Sequence, residues 1–357
     1  MMLGWIDALR GLAILMVLAN HVALVVPGLS APLLAAARFG QMGVQLFFVV
    51  SAYTLCLSWQ QRHAGEPQPT ARFLLRRFFR IAPLYWFGIA LFAAVHFLQP
   101  GETASGAYDA GNVLANALFV HGFVPAAQNT VVPGGWSIGT EMAFYALFPL
   151  LMALLARRPG VAPALLGAAL ALALNLALQA AQGGRVENNG FAYFHLVNQL
   201  PVFMVGIALF RWHQRRPQGH ALAAWGLCAL GLAATALLWR SRLDLAFALV
   251  PATAAVALAA LAHAVSRMRR LPLSLQAVGR ASFAIYIVHV LFAWHALRAV
   301  GEWLPLHGDL AYLAALAVVA ALSQVAAHVL GRWIERPGIA LGRRVIALLG
   351  VPRVKVA

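Results

Sequence analysis

The sequence predicts an all-α membrane protein, a polytopic bundle of about 10 transmembrane helices with both termini in the cytoplasm. The first observation is composition. Of the 357 residues, 62% are hydrophobic and only 10% are charged, a balance that soluble domains do not show. The second is that apolar runs of the roughly 20 residues needed to cross a bilayer recur along the whole chain. The third is that basic residues gather in every second loop.

Ten apolar runs are interpreted as membrane spans, because each is long enough to cross a bilayer as a helix. The first run is expected to be a retained helix and not a signal peptide, since no basic region precedes it. Ala and Gly recur in the fifth, seventh, eighth and tenth runs, where small side chains let helices pack closely in lipid. The predicted spans cover residues 5–27, 40–59, 82–99, 137–155, 161–181, 193–210, 221–239, 245–265, 281–298 and 310–330.

The arginines predict the orientation of these spans. The proposed inner loops hold 14 arginines, whereas the outer loops hold only Arg38, Arg185, Arg240, Arg242 and Arg298. Because basic loops stay in the cytoplasm, both ends are placed inside, which requires an even number of spans. We expect one membrane domain over residues 1–345 and a short basic cytoplasmic tail over residues 346–357.

The formal net charge of +16 is explained by the excess of arginines in the inner loops. Nucleic acid is therefore not expected as a partner, whereas membrane lipid is expected. Cys56 and Cys228 lie far apart inside apolar runs, and neither has partners at metal-ligand spacing. The cysteines therefore support no disulfide or zinc assignment, and no metal is expected.

The first span carries polar side chains in the segment "DALRGLAILMVLANHV". Arg10 and His21 are eleven residues apart, so on a helix they point the same way within about 20° and lie about 16 Å apart along the axis. Asp7 lies one turn before Arg10 on that face. Burying a charged side chain inside the membrane costs free energy, so a charged residue there is expected to have a functional role. The alternative is that Arg10 reaches the inner surface and His21 bonds a neighbouring helix.

A second group of polar residues occurs in "RRFFRIAPLYW", which is placed in the inner loop before the third span. Arg77 and Arg80 are three residues apart, so on a helical turn their guanidinium groups share a face and can bind phosphate oxygens. The alternative is an ordinary basic loop that only sets topology.

Glu141 lies about five residues into the fourth span, at a depth similar to that of His21. A carboxylate beside an imidazole can orient it and raise its basicity, as a general base requires. The alternative is a Glu bonded to a helix partner.

Six segments are similar to motifs of a known family. They are "DALRGLAILMVLANHV", "GVQLFFVVSAYTL", "RRFFRIAPLYW", "WSIGTEMAFYALFPLL", "SFAIYIVHVLF" and "IERP". In this order the sequence resembles the acyltransferase-3 membrane O-acyltransferases, whose members move acyl groups onto surface and secreted carbohydrates. The resemblance runs from residue 5 to about residue 340. Two positions depart from it, since Gln45 stands where the family usually has an acid and Ala52 where a Gly follows Ser51.

The resemblance implies acyl-CoA as the donor and His21 as the catalytic residue. We expect a stand-alone transmembrane domain without an SGNH domain, since the chain ends soon after the tenth span. The resemblance also places Arg10, Arg77, Arg80 and Glu141 at functionally important positions. We expect the donor phosphates to bind the arginines and His21 to deprotonate an acceptor hydroxyl, although a covalent acyl-His intermediate is also open. Candidate oxyanion stabilisers or supporting residues are Ser51, Tyr85, Trp136, Ser137, Tyr145 and Tyr286. His289 is either a helix-packing residue or a substrate contact.

The sequence thus predicts an O-acyltransferase of a bacterial cytoplasmic (inner) membrane that moves an acyl group, expected to be acetyl, to a hydroxyl of a carbohydrate, glycolipid or other glycoside. The alternative is a transporter of an acyl group or small anion, and a third interpretation is a partner subunit whose polar residues only hold helices together. The acceptor, the acyl chain and the oligomeric state, including a homo-oligomer, stay open.

Overall fold

The computed structural model describes residues 4–98, 106–215, 221–296 and 307–348. These ranges hold helices and no strand. They contain nine helices long and apolar enough to cross a membrane, or ten if one bent helix pair is a single span. The prediction of an all-α polytopic bundle is therefore confirmed. The orientation of the termini stays a prediction from the arginines.

The helices are numbered in chain order. They are α1 Gly4–Val22, α2 Ala31–Phe39, α3 Gly43–Arg62, α4 Pro69–Leu98, α5 Ala110–Ala117, α6 Trp136–Ala156, α7 Ala162–Ala181, α8 Phe191–Phe194, α9 Leu196–Arg215, α10 Ala221–Arg240, α11 Ala246–Ser266, α12 Leu273–Arg280, α13 Ser282–Val290, α14 Gly308–Leu330 and α15 Arg336–Leu348. Short 3₁₀ turns cover Gly40–Met42 and His121–Phe123, and π turns cover Leu291–Ala296 and Gly331–Glu335.

Helix α1 lies against α12 at backbone contact distance. A Cβ on Gly279 would lie 1.7 Å from the carbonyl oxygen of Asp7, and a Cβ on Gly11 would lie 2.1 Å from that of Leu275. Only glycine fits at both positions. Inside lipid no hydrophobic driving force brings helices together, so close backbone packing of this kind stabilises their contact instead.

The outer helices present apolar side chains to the surroundings. Leu170 of α7 and Leu230 of α10 are 61% and 72% exposed, whereas α1 and α3 bury most of their apolar side chains. Exposed apolar side chains such as these are expected where a helix contacts lipid. The bundle therefore has α1, α3 and α9 near its centre and α7 and α10 at its lipid-facing rim.

The third predicted span begins too late. Helix α4 starts at Pro69 and has 30 residues, about 45 Å of helix against a hydrocarbon core of about 30 Å. The segment "RRFFRIAPLYW" consequently lies within the helix, so its interpretation as a loop is wrong, whereas its place on the inner side stays a prediction. Arginine is a good helix former, so the basic segment extends the helix beyond the apolar run.

The last two predicted spans also differ from the structure. The ninth is a bent pair, in which α12 and α13 meet at 70°, and residues 297 and 298 of the prediction lie outside the described ranges. The tenth continues from α14 through a π turn into α15, as 41 helical residues that end at Leu348. Residues 346–348 of the predicted tail belong to α15, and residues 349–357 lie outside the described ranges.

Candidate functional site

A cavity opens among α1, α3, α4, α6 and α13. It contains about 730 Å³ of space not filled by atoms, counted to its open mouth. Seven of the predicted site residues line it, and Tyr145 does so too. The polar and charged lining residues are Arg10, Ser51, Arg77, Arg80, Ser137, Glu141, Tyr145, Ser282 and Tyr286.

The carboxylate of Glu141 is held by two hydroxyl groups. Ser51 Oγ and Tyr145 Oη each donate a hydrogen bond of 2.5 Å to the same oxygen, Oε1. Glu141 and Tyr145 are four residues apart on α6, so their side chains lie on one face of the helix, and Ser51 comes from α3. This carboxylate therefore ties two helices together at the cavity wall.

Three arginines give the cavity a cationic wall. Arg10 donates to Thr54 Oγ1 at 3.4 Å. The Arg77 guanidinium lies 5.7 Å from the ring centroid of Phe73 and 6.0 Å from that of Tyr145. Among the described residues Arg77 makes no hydrogen bond or ion pair, and its Nε is buried. An aromatic stack leaves the N–H groups of a guanidinium available to a bound anion.

Arg80 has a partner that the sequence analysis missed. Its guanidinium forms an ion pair with Glu335, at the end of the second π turn. Glu335 belongs to "IERP", and it is the only acidic residue after Asp309 in a strongly basic segment. That isolation is the signal that predicts an ion pair, because a lone carboxylate among cations is rarely left unpaired.

His21 lies beside His289 and outside the cavity lining. His21 Nδ1 is 2.9 Å from the Val17 carbonyl oxygen and 3.3 Å from His289 Nε2. His289 Nδ1 is in turn 2.8 Å from the Tyr286 carbonyl oxygen. Carbonyl oxygens only accept hydrogen bonds, so both Nδ1 atoms carry the proton in the neutral rings. This assignment leaves the lone pair of His21 on Nε2, the atom that a general base uses.

The predicted His21–Glu141 pair is not formed. In the described residues no hydrogen bond or ion pair joins them, and Glu141 is instead bonded to Ser51 and Tyr145. The prediction compared only the depth of the two residues in the membrane. The direction in which each helix turns its side chain depends on packing, which residue spacing does not reveal.

Tyr286 connects the cavity with the histidine pair. Its hydroxyl lines the cavity, accepts from Ser137 Oγ at 2.8 Å and donates to the Gly134 carbonyl oxygen at 2.9 Å, while its own carbonyl holds His289. Gly134 has φ +79, and a Cβ there would lie 2.9 Å from the tyrosine hydroxyl. Only glycine therefore suits this turn.

Three other predicted residues lie in the surrounding packing. Tyr85 donates to Asn116 Oδ1 at 2.7 Å, and Trp136 stacks on Phe194 with ring centroids 4.3 Å apart. Asp7 lies 3.8 Å from Arg280 in an ion pair between α1 and α12. None of these three lines the cavity.

Gln45, which stands where the family usually has an acid, is completely buried in an uncharged network. Its Nε2 donates to Gln199 Oε1 at 3.1 Å, and Gln199 Nε2 donates to the Tyr193 carbonyl oxygen at 2.7 Å. These amides pair α3 with α9. Across the described ranges no group of three or more His, Cys, Asp or Glu side chains is arranged to hold a metal ion.

Comparison with known proteins identifies relatives. The acyltransferase-3 family model, described as an acyltransferase domain, matches residues 3–328. The chain is 27% identical over 162 residues to the acyltransferase MdmB of Streptomyces mycarofaciens, covering 43% of this chain and 40% of that protein. It is 28% identical over 240 residues to the membrane-bound transacylase BcsY of Komagataeibacter xylinus, covering 64% of this chain and 55% of that protein. The matches thus span about half the length of these curated relatives. No solved structure matches the chain.

Proposed function

Because the chain belongs to the acyltransferase-3 family of multi-pass membrane acyltransferases, we infer that it transfers an acetyl group from cytoplasmic acetyl-CoA to a hydroxyl of a carbohydrate or glycoside. One observation carries this proposal. Tyr286 connects the arginine-lined cavity to the His289–His21 pair, and the Nδ1 proton of His21 is held in place by a backbone carbonyl. The carbohydrate acceptor and the bacterial inner membrane rest on the family resemblance alone.

The donor is proposed to bind in the cavity through its phosphates. Acyl-CoA is polyanionic, and three of the charged lining residues are arginines against one carboxylate, Glu141. Arg77 offers N–H groups that no described residue uses. Arg80 is engaged by Glu335, so a phosphate must compete with that carboxylate for it.

His21 is proposed to act as the general base. Its Nε2 takes the proton of the acceptor hydroxyl while the hydroxyl oxygen attacks the thioester carbonyl carbon. The ester bond forms, the carbon–sulfur bond breaks, and the proton on His21 passes to the leaving thiolate. The Val17 carbonyl and His289 Nε2 both accept from Nδ1–H, so they stabilise the imidazolium that forms during the step.

Glu141 is proposed to position the donor side of the cavity, since it contacts Ser51 and Tyr145 and not His21. The hydroxyls of Ser137 and Tyr286 remain the candidates for stabilising the oxyanion, because both line the cavity. Each donates its one proton within the wall, Ser137 to Tyr286 and Tyr286 to the Gly134 carbonyl, so one of these bonds must be exchanged for a bond to the oxyanion.

The test is acyl transfer from radiolabelled acetyl-CoA in membranes that carry the wild type, His21→Ala or Arg77→Ala, with a panel of glycoside acceptors. His63→Ala is the matched control, because His63 is exposed at the end of α3. We expect label on carbohydrate with the wild type and the control, and none with His21→Ala at equal folded protein.

Two outcomes would contradict the proposal. If labelled small molecules cross the membrane unchanged and no acceptor is acylated, the protein is a transporter. If His21→Ala prevents folding and His21→Gln restores both folding and full transfer, His21 only holds helices together.

A further inference from the structure

A second cavity lies between the end of α12 and the junction of α14 with α15. It contains about 750 Å³ of space not filled by atoms, again counted to an open mouth. It shares no lining residue with the first cavity, and the Arg80–Glu335 ion pair lies between the two. The lining residues are Ala277, Arg280, Ala281, Gln324, Ala327, His328, Gly331, Glu335 and Arg336.

The charged end of this cavity favours an anion. Arg336 makes no hydrogen bond or ion pair within the part of the chain that the structure describes. Arg280 is 3.8 Å from Asp7, a distance that leaves its guanidinium only loosely paired. Glu335, the one carboxylate of the lining, is already engaged by Arg80. Two guanidinium groups therefore have N–H donors to offer a phosphate group, and no carboxylate is left to attract a cation.

The other end of the cavity is lined mainly by residues with small side chains. Its walls are formed by Ala277, Ala281, Ala327 and Gly331 together with Gln324 and His328. From Arg336 to Ala327 is nine residues, about 14 Å along the helix. The cavity thus combines two arginines at one end with a wall of small residues that is interrupted on α14 by Gln324 and His328, and this arrangement suits an amphiphile.

The surface beside the cavity is exposed and apolar. Val325 and Val329 of α14 are 66% and 51% exposed, and Trp333 is 71% exposed. The Arg332 guanidinium lies 5.8 Å from the centroid of the Trp333 ring. An exposed Trp beside Arg at the end of an apolar span is typical of the membrane interface. Arg336 follows Trp333 by three residues, so the mouth of the cavity lies at the level of the lipid headgroups.

We propose that this cavity is a binding site for an anionic phospholipid, with the headgroup phosphate on Arg280 and Arg336 and an acyl chain along the small residues of α12 and α14. Basic pockets between transmembrane helices bind anionic headgroups in this way. The headgroup must be anionic and not zwitterionic, because a choline group would meet two arginines and no unpaired carboxylate. The bound lipid would contact the helix that carries Glu335 and so lie next to the donor cavity without entering it.

The test is native mass spectrometry of the purified full chain, titrated with phosphatidylglycerol or with phosphatidylcholine. The variants are Arg336→Gln and Arg280→Gln, and the matched control is Arg332→Gln, which removes a neighbouring arginine that does not line the cavity. We expect the affinity for phosphatidylglycerol to fall about tenfold in each of the two variants, the loss of one charge-assisted contact. The control is expected to bind like the wild type, and phosphatidylcholine to bind weakly to all four proteins.

Three results would overturn the proposal. An equal loss in Arg332→Gln would show that the arginines attract lipid only as a diffuse charge. Unchanged binding in both Arg336→Gln and Arg280→Gln would place the lipid elsewhere. Displacement of phosphatidylglycerol by free coenzyme A would assign the cavity to the phosphates of the acyl donor.

Discussion

His289 is predicted to affect the rate of acyl transfer through His21 and not through contact with the donor. Its Nε2 lies 3.3 Å from His21 Nδ1, and its Nδ1 is fixed by the Tyr286 carbonyl oxygen at 2.8 Å. When His21 becomes an imidazolium in the transition state, this contact becomes charge-assisted, and such contacts are worth about 1.5–3 kcal/mol. Because 3.3 Å is a long contact, we use the lower value, which corresponds to a roughly tenfold decrease in kcat.

Two substitutions separate this role from packing. His289→Leu fills the same buried position without an acceptor, whereas His289→Gln keeps a polar group near the position of Nε2. We expect His289→Leu to lower kcat about tenfold with little change in the KM for acetyl-CoA, and His289→Gln to recover most of the loss. Steady-state transfer from labelled acetyl-CoA gives both constants, and thermal unfolding in detergent shows that each variant is folded. Equal kcat in wild type and His289→Leu, or equal losses in both variants, would refute the reasoning.

Three further substitutions test other parts of the structure. Gly279→Ala places a Cβ against a backbone atom 1.7 Å away, so we expect an unfolding free energy lower by about 3 kcal/mol. Gly226→Ala is the control: nothing lies within 4 Å of a Cβ at this position, so this variant should change the unfolding temperature little. Glu335→Gln frees Arg80, and calorimetry should show coenzyme A binding up to about fivefold tighter; weaker binding would show that the ion pair assembles the donor site. Tyr145→Phe removes one donor to the cavity carboxylate and should destabilise the fold by about 1 kcal/mol, whereas an unchanged unfolding temperature would mean that this bond contributes nothing.

The spans that the sequence predicts best are those that are apolar along their whole length. The bounds of α6, α7, α10 and α11 agree with the predicted spans to within one residue at each end, because in these helices the apolar run and the helix end together. Helix α4 differs, since its first half is basic and only its second half is apolar. Hydropathy detects membrane depth, whereas helix formation depends on the backbone, and arginine satisfies the backbone as well as leucine does.

The site shows a similar division between what spacing predicts and what packing decides. Rise per residue places Arg10 and His21 on one face of α1, and the structure has Arg10 at the cavity and His21 against His289. Which helix faces His21 could not be derived, because α13 follows a 70° bend that no residue pattern in the segment announces. The sequence therefore identified most of the polar residues around the cavity and assigned the wrong partner to the histidine.

The ion pairs of the arginines at the two cavities indicate which of them is available to a ligand. Arg80 is paired with Glu335, and that carboxylate offsets the cost of holding the guanidinium in the cavity wall. Arg280, whose side chain is 45% exposed, is only loosely paired with Asp7 at 3.8 Å. Arg77 forms no ion pair within the described ranges, although Glu141 attracts it at longer range. Its Nε is buried, and its guanidinium lies 5.7 Å and 6.0 Å from the ring centroids of Phe73 and Tyr145. An unpaired buried cation costs stability, and a fold retains it where an anion binds during function. The position of Arg77 in the cavity wall is accordingly the strongest structural reason to expect a phosphate-bearing donor there.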